Sequence, residues 1–256
     1  MAWRCFGQGA PLVLLHGGHG SCWHWARNIT RLAAHYTVWV PDLPGYGDSD
    51  VPGGNSLDDV VDATIATLDQ LVGKDTCVRM AGFSFGGLVA ARLAARRQGV
   101  ARLALLGPAG HGGPRRPRGE LRAWRGVAPD SEAWRDVMHH NLRMHMLHEP
   151  AAIDAEAIAI HGEACLRTRF HSKAISRAGG LVSALDHYQG SLLLAWGEHD
   201  VTLVPEQAEQ ALGSGRPKCA IHSFPGAGHW VQYEAADAVN ALLLEWLEPS
   251  FLPRHE

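Results

Sequence analysis

Long apolar runs and a strong charge imbalance are both missing from this 256-residue chain. No stretch approaches the roughly 20 apolar residues of a membrane-spanning helix, so we predict no membrane partner. Lysine and arginine number 23 against 26 aspartate and glutamate residues, which gives a formal net charge of -3. This balance gives no electrostatic reason to expect nucleic acid as a partner. Residues 1–10 carry no signal-peptide pattern, and we expect a cytoplasmic location.

Cysteine is also scarce, and its five residues are scattered. An odd number without regular spacing does not form a disulfide framework, which is typical of a reducing compartment. Histidine is frequent, with 16 residues, but most lie outside the spacing of metal ligands. His145 and His148 are one helical turn apart, yet no glutamate completes an H-E-x-x-H motif. We predict neither a metal ion nor another cofactor.

The chain does have enough apolar material for a full core, at 46% hydrophobic and 19% charged residues. Short apolar runs that are typical of buried strands alternate with stretches at helical spacing. The predicted strands are residues 12–15, 36–40, 76–81, 100–106, 191–196 and 218–224. This alternation predicts an α/β fold with a mostly parallel, doubly wound sheet that helices cover on both faces.

The alternation stops between residues 109 and 189. A glycine- and proline-rich stretch at 107–114 leads into helical stretches without a strong strand. We predict a helical cap over residues 109–189, inserted into a core domain of residues 1–108 and 190–256. Open parallel sheets bind ligands at the carboxyl ends of their strands, so we expect the cap to lie there. A structural side domain is the alternative.

Residues 82–86 read G-F-S-F-G and match the G-x-S-x-G pattern of a serine on a tight strand-to-helix turn. An apolar run precedes the motif, and good helix formers follow it at residues 87–97. This is the structural context that the motif requires. We therefore predict that Ser84 is a nucleophile.

A nucleophilic serine needs a base, and the base needs an acid that orients it. Asp200 follows the predicted strand 191–196, and His229 follows the next one. The chain order Ser, Asp, His and the positions at successive strand ends both fit a catalytic triad. Glu198 is a possible substitute acid, and His199 is a weaker candidate base.

Two backbone N–H groups are expected to form an oxyanion hole. One is the N–H of Phe85, which follows the nucleophile at a helix N-terminus. The other comes from residues 16–20, H-G-G-H-G, where we choose Gly18, with His19 next. This loop matches neither glycine-rich nucleotide motif, so we do not predict nucleotide binding.

The chain resembles the α/β-hydrolase superfamily at motifs that span nearly all of it outside the insertion. These motifs are residues 16–18 (HGG), 42–47 (DLPGYG), 82–87 (GFSFGG), 196–200 (WGEHD) and 228–230 (GHW). The resemblance implies a Ser84–His229–Asp200 triad and a cap formed by the insertion. Many relatives open with a strand hairpin, whereas only residues 1–9 precede the first predicted strand region here. An edge strand is therefore expected to be missing or very short.

The motifs also limit the classes of reaction that the resemblance implies. Haloalkane dehalogenases and epoxide hydrolases resemble this chain but would carry aspartate at position 84. Residues 228–234, G-H-W-V-Q-Y-E, are similar to the G-H-W-x-Q-W-E run of meta-cleavage-product hydrolases, which cut a carbon–carbon bond. Those enzymes usually have asparagine where Phe83 stands. We therefore predict hydrolysis of a small carboxylic ester, with carbon–carbon cleavage of a dienoate as the alternative and a small-molecule receptor as the second alternative.

The substrate pocket is expected to involve cap residues and loops beside the triad. The candidates are His19, Trp134, Met138, Met144, Arg167 and Trp230. Arg167 lies in the region where the resemblance implies an arginine for a substrate carboxylate. Methionine and tryptophan provide adaptable apolar lining, although packing between cap and core is the alternative for them. The oligomeric state is left open.

Overall fold

One seven-stranded sheet forms the centre of the computed structural model, which describes residues 1–248. Its strands are β1 (Trp3–Phe6), β2 (Ala10–Leu15), β3 (Tyr36–Pro41), β4 (Val78–Phe83), β5 (Val100–Leu106), β6 (Ser191–Gly197) and β7 (Cys219–Phe224). They lie in the order β1-β3-β2-β4-β5-β6-β7. Every neighbouring pair from β3 to β7 is parallel. The predicted mostly parallel α/β sheet is confirmed.

The edge strand at the N-terminal side is present but short. β1 has four residues and pairs antiparallel with β3, with Trp3 opposite Pro41 and Phe6 opposite Val38. The glycines at 7 and 9 have φ values of +72° and +133°, conformations that favour glycine, and they turn the chain from β1 into β2. Residues 1–9 therefore supply one very short strand.

Helices cover both faces of the sheet. Around the strands lie α1 (Ala26–Ala33), α2 (Leu57–Val72), α3 (Phe85–Arg96), α8 (Pro205–Gly213), α9 (Val231–Glu234) and α10 (Ala236–Leu247). Alternate residues of β2 show why this arrangement is needed. Val13 and Leu15 are buried in one apolar cluster, and Leu12 and Leu14 in the other. Side chains that point to opposite faces of a strand need a helical layer on each side.

The insertion is helical, as the sequence suggests. It holds α4 (Glu132–His145), α5 (Ala155–Leu166), α6 (Lys173–Ala178) and α7 (Leu181–Asp186). The last of these packs with the sheet domain, since Leu181 and Leu185 are buried in the same cluster as Leu88 of α3. We therefore propose that α7 belongs to the core. The C-terminal boundary of the cap then lies near Ala178 instead of at residue 189.

A buried arginine fixes the far end of α3, away from Ser84. The Arg97 side chain is 5% exposed, and its Nε donates to Asp69 Oδ1 of α2 at 2.7 Å. Its remaining N–H groups donate to backbone carbonyls, including those of Thr76 and Gly73. Twelve helical residues, about 18 Å at 1.5 Å per residue, separate this pair from Ser84.

We expect Asp69→Asn to lower the free energy of unfolding by about 2 kcal/mol, because it leaves a buried guanidinium without its countercharge. Urea unfolding at pH 7 measures the change. The matched control is Asp62→Asn on the same helix, whose ion pair with Arg96 is exposed and contributes at most about 1 kcal/mol. Equal losses in both variants would contradict the prediction.

Candidate active site

Ser84 occupies a tight turn between β4 and α3. Its φ is +51° and its ψ is -115°, a strained backbone conformation for a residue with a side chain. The turn lies directly on the end of β2, because a Cβ at Gly86 would collide with the carbonyl oxygens of His16 and Leu15. Glycine at this position permits the close approach that holds the turn. The Ser84 side chain is consequently presented at the carboxyl end of the sheet.

The three residues predicted as a triad lie together in one hydrogen-bonded chain. His229 Nε2 is 3.0 Å from Ser84 Oγ, and His229 Nδ1 is 2.8 Å from Asp200 Oδ2. Asp200 is fully buried, and His229 is 3% exposed. Ser84 follows β4, Asp200 follows β6 and His229 follows β7, so the parallel sheet delivers all three to the same edge.

Asp200 is held as a carboxylate despite its burial. Burial alone raises the pKa of this group, but the adjacent His229 imidazole and two hydrogen bonds from Thr202 lower it below its ordinary value. The Thr202 backbone N–H donates to Asp200 Oδ1 at 2.7 Å, and its hydroxyl donates to the same atom at 2.8 Å. One carboxylate oxygen thus binds Thr202 and the other binds the imidazole, which fixes the ring orientation. The alternative acid and the alternative base make other contacts. Glu198 accepts a hydrogen bond from the Gly226 N–H, and His199 stacks on His148.

The loop after β2 lies against Ser84. A Cβ at Gly17 would be 3.1 Å from Ser84 Cβ, and a Cβ at Gly18 would be 3.9 Å from Phe85 Cβ. Within residues 1–248, neither the Gly18 N–H nor the Phe85 N–H donates a hydrogen bond. Two free N–H donors beside Ser84 match the arrangement expected of an oxyanion hole. His19, with φ +51°, is half-buried at the next position of the loop.

Two buried imidazoles hold this loop, and the sequence analysis missed one of them. His16 Nδ1 donates to the Gly17 carbonyl at 2.7 Å, and its Nε2 accepts from the Leu43 N–H at 2.8 Å. His24 Nδ1 accepts from the Gly17 N–H at 3.3 Å. The N–H and the carbonyl group of Gly17 are therefore both hydrogen-bonded to histidine side chains. These contacts fix the orientation of the backbone that leads into Gly18. The available signal was a histidine within an apolar segment, residues 22–25, close in sequence to the glycine-rich loop.

Burial keeps both imidazoles neutral. It lowers the pKa of His16 to about 4 and places the pKa of His24 well below its ordinary value. Neutral rings are required here, because His24 must offer a lone pair to the Gly17 N–H and His16 must offer one to Leu43.

A cleft of about 230 Å³ opens beside His229. Its lining includes Arg118, Arg143, Met144, His145, His148 and His199. Of the six pocket residues predicted from sequence, Met144 is the one that lines this cleft. The His145 ring, which the analysis did not assign to the site, lies 5.7 Å from the His229 ring.

Three of the apolar side chains predicted for the pocket pack elsewhere and do not line this cleft. Trp134 and Met138 are one turn apart on α4 and are buried together against Cys165 of α5, inside the insertion. Trp230 is fully buried, donates from Nε1 to the His24 carbonyl at 2.9 Å and stacks on Tyr233. Trp134 and Met138 therefore pack within the insertion rather than between cap and core, the alternative named for them, and Trp230 packs in the core.

Arg167 also lies outside the pocket. Its guanidinium is half exposed and forms ion pairs with Asp48 and with Glu163, the latter at 3.3 Å. Two carboxylates neutralise this charge at the surface, so it does not meet a substrate at Ser84. The resemblance implies a carboxylate-binding arginine in this region, and the ion pairs of Arg167 give no support to its choice for that role.

The remaining side chains offer no arrangement for a metal. Among residues 1–248, no group of three or more His, Cys, Asp and Glu side chains is placed to hold a metal ion. The five cysteines are all free. In the same part of the chain, the helices are too short or too polar to cross a bilayer.

Buried imidazoles make the stability of the fold dependent on pH. Burial lowers the pKa of His145 to about 3 and that of His161 to about 4, and the two loop imidazoles, His16 and His24, contribute in the same direction. Both rings are neutral in the folded protein but protonate in the unfolded chain below the ordinary histidine pKa of about 6.5, so unfolding takes up protons. We expect these two rings to favour the folded state fully above about pH 6.5. The free energy of unfolding then falls as the pH is lowered, with the His16 contribution ending near pH 4, its pKa in the folded protein, and the His24 contribution continuing to lower pH. Urea titrations across this range measure the slope. His24→Phe is expected to reduce proton uptake by about one, and an unchanged slope would contradict this assignment.

Comparison with known proteins supports the same fold. The model of the alpha/beta hydrolase family matches residues 12–242. A 2-hydroxy-6-oxo-6-phenylhexa-2,4-dienoate hydrolase from Burkholderia cepacia is 29% identical over 94% of this chain and 88% of its own length. The structure of a meta-cleavage product hydrolase from Pseudomonas fluorescens IP01 is 26% identical, covers 96% of this chain and 93% of its own, and superposes with a TM-score of 0.75. The esterase RhEst1 from Rhodococcus sp. ECU1013 is 24% identical with the same coverage and a TM-score of 0.79. The chain belongs to the alpha/beta hydrolase family.

Proposed function

We propose that this protein is a serine hydrolase that cleaves a small carboxylic ester through an acyl-enzyme. The observation that carries the proposal is the continuous chain of hydrogen bonds from Asp200 through His229 to Ser84, with distances of 2.8 Å and 3.0 Å. These are hydrogen-bond distances within which a proton can be transferred. The free N–H groups of Gly18 and Phe85 beside the serine support the same reaction.

Acylation begins with the transfer of the Ser84 hydroxyl proton to His229 Nε2. The serine oxygen attacks the ester carbonyl carbon as this proton leaves. Asp200 accepts the hydrogen bond from His229 Nδ1, which selects the tautomer with a free lone pair on Nε2. The imidazolium that forms is stabilised by the Asp200 carboxylate, whose pKa is lowered by the His229 imidazole and by Thr202.

The tetrahedral intermediate carries a negative charge on the former carbonyl oxygen. The N–H groups of Gly18 and Phe85 donate to it, and the N-terminus of α3 adds a favourable dipole. Loss of one such donor costs about 10²–10³ in kcat in well-studied hydrolases. His24 and His16 have no direct contact with this oxygen in our mechanism and act by fixing the Gly17 peptide.

Collapse of the intermediate breaks the bond to the alcohol oxygen. His229 Nε2–H donates its proton to that oxygen, the alcohol departs, and the acyl group remains on Ser84. Water then loses a proton to His229 as it attacks the acyl carbonyl. As the second intermediate collapses, the bond between the acyl carbon and Ser84 Oγ breaks, and His229 Nε2–H returns its proton to Oγ. The carboxylic acid leaves, which regenerates the starting site.

Two observations favour an ester over a carbon–carbon bond. Phe83 is fully buried, and its ring lies 4.9 Å from the His229 ring. An apolar side chain therefore occupies the position at which meta-cleavage-product hydrolases usually have asparagine. Arg167 is neutralised at the surface by Asp48 and Glu163. A dienoate would thus lack the amide that its recognition would use, and Arg167 is already paired with other carboxylates.

Carbon–carbon cleavage of a dienoate product is the second candidate. It is favoured by the relative from Burkholderia cepacia, whose name states a dienoate hydrolase and which matches 94% of this chain. The run G-H-W-V-Q-Y-E at residues 228–234 supports it as well. A receptor that binds such a molecule without turnover is the third.

The test compares turnover of an aryl acetate with that of 2-hydroxy-6-oxo-6-phenylhexa-2,4-dienoate. We expect the ester to be hydrolysed with at least tenfold higher kcat/KM than the dienoate, and Ser84→Ala to reduce ester turnover at least about 10³-fold. Ser56→Ala is the matched control, since this serine caps α2 and should affect stability alone.

Three results would contradict the proposal. Faster cleavage of the dienoate would favour the second candidate. Tight binding without turnover would favour a receptor. Ester turnover that survives Ser84→Ala would exclude this mechanism.

A further inference from the structure

The Glu234 carboxylate joins the loop that carries His229 to the end of the inserted helix α4. Its Oε2 accepts the Gly228 N–H at 2.6 Å. Its Oε1 accepts the N–H groups of His148 at 2.9 Å and of Glu149 at 2.6 Å. One partly buried carboxylate thus serves backbone donors from two segments that lie about 80 residues apart in the chain. We call these three contacts the Glu234 bridge.

A second contact reinforces the bridge on the other side of the histidine. The Trp230 N–H donates to the Met146 carbonyl at 2.7 Å. The residues immediately before and after His229 are therefore both tied to the segment 146–149. A Cβ at Gly228 would lie 2.8 Å from the His148 nitrogen and 3.0 Å from the Met146 oxygen, so glycine permits this close approach.

We infer that Glu234 is a positioning residue that holds His229 against Ser84 by fastening the histidine loop to the C-terminal end of α4. This inference rests on the proposed function, in which His229 transfers the proton. The imidazole must keep two hydrogen bonds at once, and both depend on where its backbone lies. Small displacements of a catalytic group lower the rate of the chemical step more than they weaken substrate binding.

The same bridge relates the insertion to catalysis. The segment 146–149 directly follows α4, and α4 carries His145, whose ring lies 5.7 Å from the His229 ring. Movement of α4 away from the core would pull on Glu234 and on the Trp230 N–H together. The Glu234 bridge therefore makes the placement of His229 depend on a docked α4.

A carboxylate is the chemical group that this position requires. It offers two oxygens, and all three bridge partners are N–H donors. Glutamine at 234 would offer one oxygen, and its amide NH₂ would face another donor. At least one side of the bridge then loses its partner, although the side chain keeps nearly the same size.

The decisive variant is Glu234→Gln, with Glu149→Gln as its matched control. Glu149 contributes its backbone N–H to the bridge, while its own side chain is exposed, so the control makes the same chemical change beside the bridge. With an aryl acetate we expect kcat to fall about 10- to 100-fold in Glu234→Gln with less than a threefold change in KM. The Glu149→Gln variant should keep both constants within twofold.

Stability is controlled separately. Asp69→Asn lowers stability at a site remote from Ser84 and should leave kcat within twofold. If Asp69→Asn and Glu234→Gln lower kcat equally at matched loss of unfolding free energy, Glu234 has only a structural role and the inference is overturned. If Glu234→Gln does not fold, Glu234→Asp keeps the charge on a shorter side chain and is tested in its place with the same expected loss of kcat.

A spectroscopic measurement distinguishes this inference from the proposed function. In the resting wild-type protein, the His229 Nδ1 proton bonded to Asp200 is expected to give a downfield ¹H NMR resonance. Glu234→Gln should broaden or abolish this resonance, and Glu149→Gln should keep it. Retention of the sharp wild-type resonance in Glu234→Gln would overturn the inference. Absence of ester turnover in the wild type would reject the proposed function and leave this measurement valid.

Discussion

The close packing of the strand-to-helix turn on the end of β2 is the constraint on which the candidate site depends. Gly86 lies directly on the carbonyl groups of Leu15 and His16, so any side chain there would separate β4 from its neighbour. That contact forces Ser84 into its left-handed conformation and presents its hydroxyl at the sheet edge. The same contact brings the Gly17–Gly18 loop beside the serine. The same backbone contact therefore positions both the proposed nucleophile and the proposed oxyanion donors.

The parallel sheet then places Asp200 and His229 at the same edge as Ser84. Parallel strands end at a common edge, so residues that follow β6 and β7 arrive near the one that follows β4. Gly107, which follows β5, shows how tight this edge is. Its φ is +49°, and a Cβ there would lie 2.8 Å from Asp200 Oδ2 and 3.0 Å from His229 Nδ1. The acid–base pair therefore fits only because the intervening strand ends in glycine.

The sequence predicted those features whose signal is local. The largely apolar run from Val100 to Leu106 gives a strand with the predicted limits, and its last four residues are buried, as expected of a strand that is covered on both faces. Ser84, Asp200 and His229 are recognisable since each follows such a strand within a few residues. The residues that line the pocket were harder to predict from the sequence. Trp134 and Met138 share the face of α4 that packs on α5, while Met144 lies off that face, and a helical stripe of large side chains indicates packing before it indicates a ligand.

Residues that act through the backbone left the weakest signal. His24 and Glu234 both bind peptide N–H groups, and every residue other than proline supplies such a group, so no partner residue type marks the contact. Their roles depend on chain segments meeting in space: His24 meets its own loop, whereas Glu234 meets the end of a helix that belongs to the insertion. Catalytic side chains in such a fold are constrained by their chemistry and can be recognised from residue type. The groups that position them are constrained by geometry alone, and for this reason the placement of His229 could be understood only once α4 and the histidine loop were seen together.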